Sequence, residues 1–407
     1  MTFIASGAQH VVEDKQLLSS TLLGIPATAV KSLRVLYVHS GNLFGGVETL
    51  MLTLVQYRHL SPDMEPHFAL CFDGQFSEEL LARGAPVHLL GNVRFSRPLT
   101  VRRARSNLKD LLYQESFDLV VLHSAWAQAV FGPALRSFKI PVVLWIHDVP
   151  DGMPWPERLA RWSPSPSLVL CNSKYTADRL PRLYPHMRPR LIYCPVAPPA
   201  TNYSSDDLKG VRAAFHTPED AAVILQISRL ESHKGHLAHL EALALLRDLP
   251  GWICWQVGSV QKPEESEYFE RIKKAAIRLG INDRIRFLGW QQDVQKVIAA
   301  CDIYCQPNIY PEPFGITFIE ALYGQKPVIA TSIGGPKEIV DETCGFLVPP
   351  DDAPSLAATL RALIQNRELR IDLGKAGSAR ARRLCDPATQ IRTLYETFLN
   401  VATNGLN

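Results

Sequence analysis

The sequence predicts an α/β protein in which two doubly wound parallel-sheet domains face each other across a cleft. Short, continuous apolar runs alternate with helical patterns between residues 33 and 349, which is typical of parallel strands buried on both faces. A stretch rich in proline and serine interrupts this series once, at 195–220, and 407 residues exceed one usual domain. Ligands of such sheets bind at the carboxyl ends of the strands, so we expect the functional site in the cleft.

Each apolar run is expected to form one strand, and the segments between runs, such as 48–58 and 173–183, have helical patterns. The runs of the first domain are 33–38, 68–72, 87–90, 119–122, 142–146, 168–171 and 191–194. Those of the second domain are 223–227, 252–257, 285–288, 303–305, 328–331 and 346–348. The predicted organisation is a poorly patterned extension (1–30), a first domain (31–205), a second domain (206–385) and a carboxyl-terminal helix (386–407) that packs back on the first domain.

Composition excludes several classes of protein. Lys and Arg total 43 against 40 for Asp and Glu, a net charge of +3 that gives no reason to expect a nucleic-acid partner. The eight cysteines lack metal-ligand spacing, so we expect buried free thiols in a reducing compartment. Neither a signal-peptide pattern nor an apolar run of ~20 residues is present. We therefore expect a cytoplasmic protein, with peripheral membrane contact as an open alternative.

The most informative stretch is a loop and helix start at 307–321. Glu312 follows a strand and a proline-rich turn, and a helix is predicted to begin near Gly315, which places Glu320 about one and a half turns into it. Free amides at a helix start bind anions, and carboxylates accept from ligand hydroxyls. The alternative is an ordinary helix start with acidic residues favoured by the helix dipole. Glu320 argues against it, because its neighbours are apolar and a buried charge needs a partner.

Loops of distinctive composition follow the first strand of each domain. In the second domain, Ser228, Arg229 and Lys234 bring two positive charges to the ligand edge of the sheet, where they suit a diphosphate. A solvated basic loop is the alternative. In the first domain, Gly45 and Gly46 precede a helix and permit close approach of the backbone to a phosphate or sugar. A glycine turn is also the default between a strand and a helix, so this signal is weak alone.

His123 and His147 each end an apolar strand, and Asp148 follows His147. Because carboxyl ends of strands face the cleft, these residues are candidates for the acceptor or sugar side of a site, with satisfied structural histidines as the alternative. No Gly-x-Ser-x-Gly nucleophile motif accompanies them. Asp-x-Asp, the usual holder of a metal-bound nucleotide diphosphate, does not occur either. We therefore expect neither a metal nor a cofactor, and cationic side chains would stabilise a leaving diphosphate instead.

From about Leu33 to its carboxyl end, the chain resembles the retaining glycosyltransferases of family 4, which have the GT-B fold of two Rossmann-like domains. The most specific likeness is Glu312 and Glu320, separated by seven residues that include Phe314 and Gly315. Further matching stretches are Gly45-Gly46-Val47-Glu48, Asn172-Ser173, Ser228-Arg229, Lys234-Gly235, the Gly-Gln-Lys-Pro-Val-Ile-Ala run at 324–330, and Gly334-Gly335.

The resemblance implies roles for several of the matching residues. Arg229 and Lys234 would hold the donor diphosphate, Glu320 the ribose and Glu312 the sugar, while His147 would lie beside the anomeric centre. The residues implied to act in catalysis are His147, Arg229, Lys234 and Glu312. Those implied to bind the donor are Gly45, Gly46, Ser228, Arg229, Lys234, Glu312, Phe314, Gly315, Ile316 and Glu320.

The implied reaction moves a sugar, with retention of configuration, from a nucleotide diphosphate-sugar to a hydroxyl of a saccharide or lipid-linked acceptor, in glycan, polysaccharide or glycolipid synthesis. Two alternatives stay open: an epimerase or phosphorylase of the same fold, and a non-catalytic nucleotide-sugar-binding subunit. The acceptor should meet the first domain. There the basic segment 94–109 is a candidate for membrane contact, and a solvated basic helix face is the alternative.

Overall fold

The computed structural model describes residues 32–41, 43–150 and 155–404. The predicted extension 1–30 lies outside the described residues. Two parallel sheets, of seven and six strands, organise the chain and confirm the predicted α/β architecture of two doubly wound domains.

The first sheet has the strand order β3-β2-β1-β4-β5-β6-β7, with every neighbouring pair parallel. Its strands are β1 (Leu33–His39), β2 (Met64–Leu70), β3 (Val87–Leu89), β4 (Leu119–His123), β5 (Val142–Ile146), β6 (Leu168–Cys171) and β7 (Pro189–Leu191). The helices along this part of the chain are α1 (Gly46–Gln56), α2 (Gln75–Ala82), α3 (Pro98–Gln114), α4 (Ser124–Leu135), α5 (Trp155–Arg161), α6 (Lys174–Arg179) and α7 (Ser205–Ala214). Strand order reverses beside β1, which creates the crevice where such sheets bind ligands.

The second sheet repeats this arrangement in the order β10-β9-β8-β11-β12-β13. Its strands are β8 (Ala222–Ile227), β9 (Trp252–Val257), β10 (Ile285–Gly289), β11 (Ile303–Gln306), β12 (Val328–Thr331) and β13 (Gly345–Val348). The helices are α8 (His236–Ala244), α9 (Pro263–Arg278), α10 (Val294–Ala300), α11 (Ile316–Tyr323), α12 (Pro336–Ile339), α13 (Ala353–Gln365), α14 (Arg367–Cys385) and α15 (Pro387–Asn404). Strands β8, β9, β11 and β12 are fully buried, which explains their continuous apolar sequences.

The predicted strand at 191–194 is wrong, because the last strand of the first sheet is Pro189–Leu191. Ile192 still donates its amide to the Cys171 carbonyl, but Pro195 has no amide to continue a ladder. The apolar side chains of Ile192 and Cys194 are buried in the core that joins the two domains. These two side chains therefore stabilise the contact between the domains and do not form part of a strand.

Polar and aromatic contacts fix the two domains relative to each other. Glu338 of α12 accepts the amides of Lys174 and Tyr175 at 2.8 Å each and the Tyr193 hydroxyl at 3.0 Å. Helix α15 packs on the first sheet, where the ring of Phe398 lies 6.3 Å from that of Tyr37.

All eight cysteines are buried and free, as predicted. Within the described residues, the helices lack the length and apolarity that crossing a bilayer requires.

Candidate active site

A cavity of about 520 Å³ lies between the domains at the carboxyl ends of both sheets. Its volume is within the range of small-molecule sites. The predicted residues that line it are Gly45, Gly46, Ser228, Arg229, Lys234, Glu312, Gly315, Ile316 and Glu320. The structure therefore brings most of the predicted donor-binding residues together around one space.

Lys234 and Glu312 form an ion pair on the wall of this cavity. Lys234 Nζ lies 2.5 Å from Glu312 Oε2, and Asn308 Nδ2 donates to the same oxygen at 2.7 Å. Burial raises the pKa of Glu312, but the Lys234 ammonium and the Asn308 amide together outweigh burial, so the pKa lies below its ordinary value. Glu312 is therefore a carboxylate at neutral pH, and Lys234 orients it.

Glycines let the loops that carry this pair approach each other. Gly235 follows Lys234 with φ +75°, and a Cβ there would lie 1.8 Å from the Pro307 carbonyl oxygen. Gly335 donates its amide to the Glu312 carbonyl at 2.7 Å, and a Cβ on Gly334 would lie 2.3 Å from that same oxygen. These loops are closer than residues with a side chain would allow.

Arg229 lies on the same wall, with Nη1 3.0 Å from Glu231 Oε1. Ser228 beside it donates its amide to the Val257 carbonyl at 3.1 Å, and its hydroxyl lies 3.1 Å from His236 Nε2. Arg229 and Lys234, the two cations that the second domain contributes to the cavity lining, therefore each lie beside a carboxylate. Both can reorient toward a bound phosphate, because guanidinium and ammonium groups exchange readily between anionic partners.

Helix α11 directs its N-terminus into the cavity. Gly315 precedes it with φ +100°, where a Cβ would lie 2.3 Å from a ring carbon of Phe318, and no side chain caps the helix. Phe314 is buried and stacks on Tyr193 at 5.6 Å, so its side chain anchors the turn. The Phe318 amide donates to the Gly315 carbonyl at 3.2 Å, so the amides of Ile316 and Thr317 are the ones available to the oxygens of an anion.

Glu320 lies on α11 on the same wall, four residues after the helix begins, and is half-buried. Burial raises its pKa to about 7. A carboxyl group at this position accepts hydrogen bonds from ligand hydroxyls most strongly in its ionised form.

The raised pKa of Glu320 makes thermal stability depend on pH. The folded chain keeps this proton up to about pH 7, whereas the unfolded chain loses it near 4.5, so the stabilisation is lost as pH rises through the folded pKa. Because wild type alone loses this stabilisation, we expect the melting temperature of Glu320→Gln to rise relative to that of wild type between about pH 5 and about pH 8. Melting temperatures of wild type, Glu320→Gln and the exposed-site control Glu368→Gln, measured across this pH range, check this. The same dependence of melting temperature on pH in both variants would contradict it.

The first domain contributes the opposite wall through its glycine turn. A Cβ on Gly46 would lie 3.6 Å from Ile316 Cδ1 across the cleft. Glu48 holds this turn, because its Oε2 accepts the Gly45 amide at 2.9 Å while its Oε1 lies 2.6 Å from His39 Nε2. No role was predicted from the sequence for His39 or Glu48. The position of Glu48 in the first turn of the helix was the available signal.

Gln261 and Phe44 form a second contact across the cleft, which was not predicted from the sequence. The side-chain amide of Gln261 donates to the Phe44 carbonyl and accepts the Phe44 amide, both at 3.3 Å. No local pattern predicts a pair that is 217 residues apart in the chain.

His123 and His147 come together at the ends of β4 and β5. His123 Nδ1 lies 2.9 Å from His147 Nε2, and the rings are nearly parallel with centroids 5.0 Å apart. Burial lowers the pKa of His147 to about 3, with a further contribution from His39, and burial also holds the pKa of His123 well below its ordinary value. Both rings are therefore neutral at pH 7, and the N–H of one ring donates a hydrogen bond to the unprotonated nitrogen of the other.

The structure corrects the position of His123. It is fully buried behind His147 and does not line the cavity, so it does not face an acceptor directly. His147 is 8% exposed and Asp148 is exposed, and neither residue lines the cavity. The pKa of Asp148 lies above its ordinary value, because loss of water around the carboxyl group outweighs the attraction of Arg229 and His39 for its charge.

The expectation that the site needs no metal stays a prediction. Within the part of the chain that the structure describes, a group with metal-ligand spacing is formed by His67, His88 and Glu115, none of which lines the cavity. Arg34 lies 2.8 Å from Glu115 and 3.3 Å from His67. Its guanidinium opposes binding of a cation there.

Two family models match successive parts of the chain. The model for Glycosyltransferase Family 4 matches residues 44–198, and the model for Glycosyl transferases group 1 matches residues 210–380. Together they span both predicted domains.

Characterised relatives match over parts of their length. The chain is 31% identical over 167 residues to the lipopolysaccharide core biosynthesis glycosyltransferase LpsE of Rhizobium meliloti, covering 41% of this chain and 46% of that protein. It is 40% identical over 131 residues to a phosphatidyl-myo-inositol mannosyltransferase of Mycobacterium leprae, covering 31% and 34%. It is 27% identical over 278 residues to the human alpha-1,3/1,6-mannosyltransferase ALG2, covering 64% and 62%. The chain thus spans about a third to three fifths of these relatives.

Solved structures share the whole architecture. Anabaena HepE in complex with UDP and glucose superposes with a TM-score of 0.80 at 24% identity, covering 90% of this chain and 100% of that one. WaaG, a glycosyltransferase involved in lipopolysaccharide biosynthesis, superposes with a TM-score of 0.66 at 16% identity, covering 89% and 99%. At these identities the likeness shows the fold alone. With both family models matched across the two domains, the chain belongs to the family 4 glycosyltransferases, which have the GT-B fold.

Proposed function

We propose that this protein transfers a sugar from a nucleotide diphosphate-sugar to an acceptor hydroxyl, with retention of configuration, in glycan, polysaccharide or glycolipid synthesis. The observation that carries the proposal is that Arg229 and Lys234, Glu312 and Glu320, and the uncapped start of α11 all lie around a single cavity. Relatives named for lipopolysaccharide core synthesis and for mannosyl transfer support the reaction class.

Each group of the cavity has a task in donor binding. Arg229 and Lys234 hold the diphosphate together with the first amides of α11. Glu320 accepts hydrogen bonds from the ribose hydroxyls, and Glu312 accepts from hydroxyls of the sugar. Trp290 lines the cavity with half of its surface exposed and offers an aromatic face to the base.

The reaction breaks the bond between the anomeric carbon and the diphosphate oxygen and forms a bond to the acceptor oxygen on the same face. The acceptor proton moves to the departing phosphate, so the protein supplies no nucleophile. Arg229 and Lys234 stabilise the charge that develops on the diphosphate without a metal. Neutral His147 contributes a hydrogen bond near the anomeric centre, and His123 fixes its ring.

The acceptor, a saccharide or a lipid-linked saccharide, approaches from the first domain. There α3 carries most of the basic segment 94–109, and Arg102 and Arg103 are exposed on it. Arg105 does not belong to this surface, because its guanidinium donates to the carbonyls of Val130 at 2.5 Å and Ala129 at 3.1 Å. A membrane contact therefore excludes Arg105, which instead ties α3 to α4.

A turnover panel tests the proposed function. UDP-, GDP- and ADP-sugars are incubated with a chelator and a mixture of saccharide and lipid-linked acceptors, and released nucleotide and sugar configuration are followed by chromatography and NMR. We expect one nucleotide class to release its diphosphate and to yield a glycoside with the anomeric configuration of the donor. A changed sugar without nucleotide release would indicate an epimerase. Binding without any turnover would indicate a non-catalytic subunit.

A further inference from the structure

Helix α5 and the turn that follows it present an apolar stripe to solvent, which we call the α5 stripe. Trp155, Leu159 and Trp162, spaced by four and three residues, are 49%, 44% and 84% exposed. The opposite side of the helix is attached to the domain, since Ala160 is buried and its carbonyl accepts the Tyr184 hydroxyl at 3.2 Å. A surface helix normally buries its apolar face, so exposed indoles at helical spacing mark an interaction surface.

Arginines surround this stripe. The ring of Phe95 meets that of Trp155 edge to face, with centroids 4.3 Å apart, and so joins α5 to the start of the basic segment 94–109. The exposed arginines of the two segments are Arg94, Arg97, Arg102, Arg103, Arg158 and Arg161. Glu157 is the one acidic residue within 94–109 and 155–162, and its side chain is buried. The surface is therefore positively charged as well as aromatic.

The surface also belongs to the first domain, from which the acceptor approaches. Helix α5 packs on α4, and α4 packs in turn on β4 and β5. An object seated on α5 thus lies against the domain that receives the acceptor.

We infer that the α5 stripe and its surrounding arginines dock on an anionic lipid bilayer, which carries a lipid-linked acceptor to the cleft. Indole rings favour the interface between headgroups and acyl chains, and arginines pair with lipid phosphates. A second copy of this chain would bring the same positive charge to the contact, so an anionic bilayer is the better-matched partner. The inference rests on the proposed function, because it names the class of its acceptor.

Vesicle co-sedimentation tests the docking surface. Wild type is compared with Leu159→Ser/Trp162→Ser and with Arg158→Ser/Arg161→Ser, using phosphatidylcholine vesicles with and without phosphatidylglycerol. Leu245→Ser/Ile277→Ser, at exposed apolar sites of the second domain, is the matched control. We expect wild type and control to bind only the anionic vesicles. Both α5 variants should bind them at least about tenfold more weakly.

Three outcomes would overturn the inference. Wild type does not bind anionic vesicles, or both α5 variants bind them as tightly as wild type does. In the third, wild type forms a concentration-dependent dimer that Leu159→Ser/Trp162→Ser abolishes. Quenching of Trp162 fluorescence by brominated phosphatidylglycerol, measured as the difference between wild type and Trp162→Phe, keeps the test valid if the double variants fold poorly. Donor binding measured without vesicles should be unchanged in every α5 variant, and its absence in wild type would instead refute the proposed function.

Discussion

Replacing Lys234 by alanine is expected to lower donor turnover by about 10²- to 10³-fold, the usual effect of removing one group that stabilises developing negative charge. The substitution removes a cation from the cavity and leaves the buried Glu312 carboxylate with Asn308 as its remaining side-chain donor. The pKa of Glu312 should therefore rise, because the Lys234 charge that offsets burial is gone. Steady-state kinetics with the preferred nucleotide-sugar measure the loss.

Two further variants make this result specific. Lys234→Arg keeps a positive charge and should recover part of the activity, whereas Lys337→Ala, at an exposed position on α12, should match wild type. Turnover by Lys234→Ala within a few-fold of wild type would contradict the role of Lys234 in stabilising the departing diphosphate.

Replacing Gly235 by alanine is expected to reduce both stability and activity. The glycine has a φ of +75°, and the new Cβ would lie 1.8 Å from the Pro307 carbonyl oxygen, so one of the two loops must move. Lys234 is the neighbour of Gly235, and Glu312 is five residues beyond Pro307, so any such movement disturbs their ion pair.

The chain contains a matched control for this prediction. Gly251 has a φ of +74°, but a Cβ there meets nothing within 4 Å. Gly251→Ala therefore incurs only the backbone strain of about 1–2 kcal/mol, and Gly235→Ala should cost roughly 1–3 kcal/mol more because of the overlap. Denaturant unfolding of both variants measures the difference; equal losses would show that the Pro307 contact is unimportant.

The architecture was predictable because its strands are buried on both faces. Continuous apolar runs then mark β1 or β8 as clearly as an alternating pattern marks a half-exposed strand. The site was predictable for a related reason, since Arg229, Lys234 and Glu312 all lie in loops that follow strands and parallel strands end at a common edge. Strand ends in the sequence therefore locate the cavity before any contact is known.

The remaining features depend on contacts between distant residues. His123 ends a strand as His147 does, but its neighbour on β5 covers it, so its burial is decided by the next strand. Arg105 has the same sequence context as Arg103 yet turns inward to the carbonyls of α4. The Gln261–Phe44 pair and the Glu338 contacts with α6 arise only when the two domains meet. Composition and periodicity carry no information about such pairings.

We propose that Arg229, Lys234 and the α11 amides bind a nucleoside diphosphate without a metal. Titration calorimetry of UDP, GDP and ADP into the chelator-treated wild type, Arg229→Ala, Lys234→Ala and Lys337→Ala tests it most directly. We predict that one diphosphate binds wild type and Lys337→Ala alike, and binds each cavity variant at least about tenfold more weakly, since each charge-assisted contact contributes about 1.5–3 kcal/mol. Absence of binding by all three nucleotides, or binding unaffected by both cavity substitutions, would contradict it.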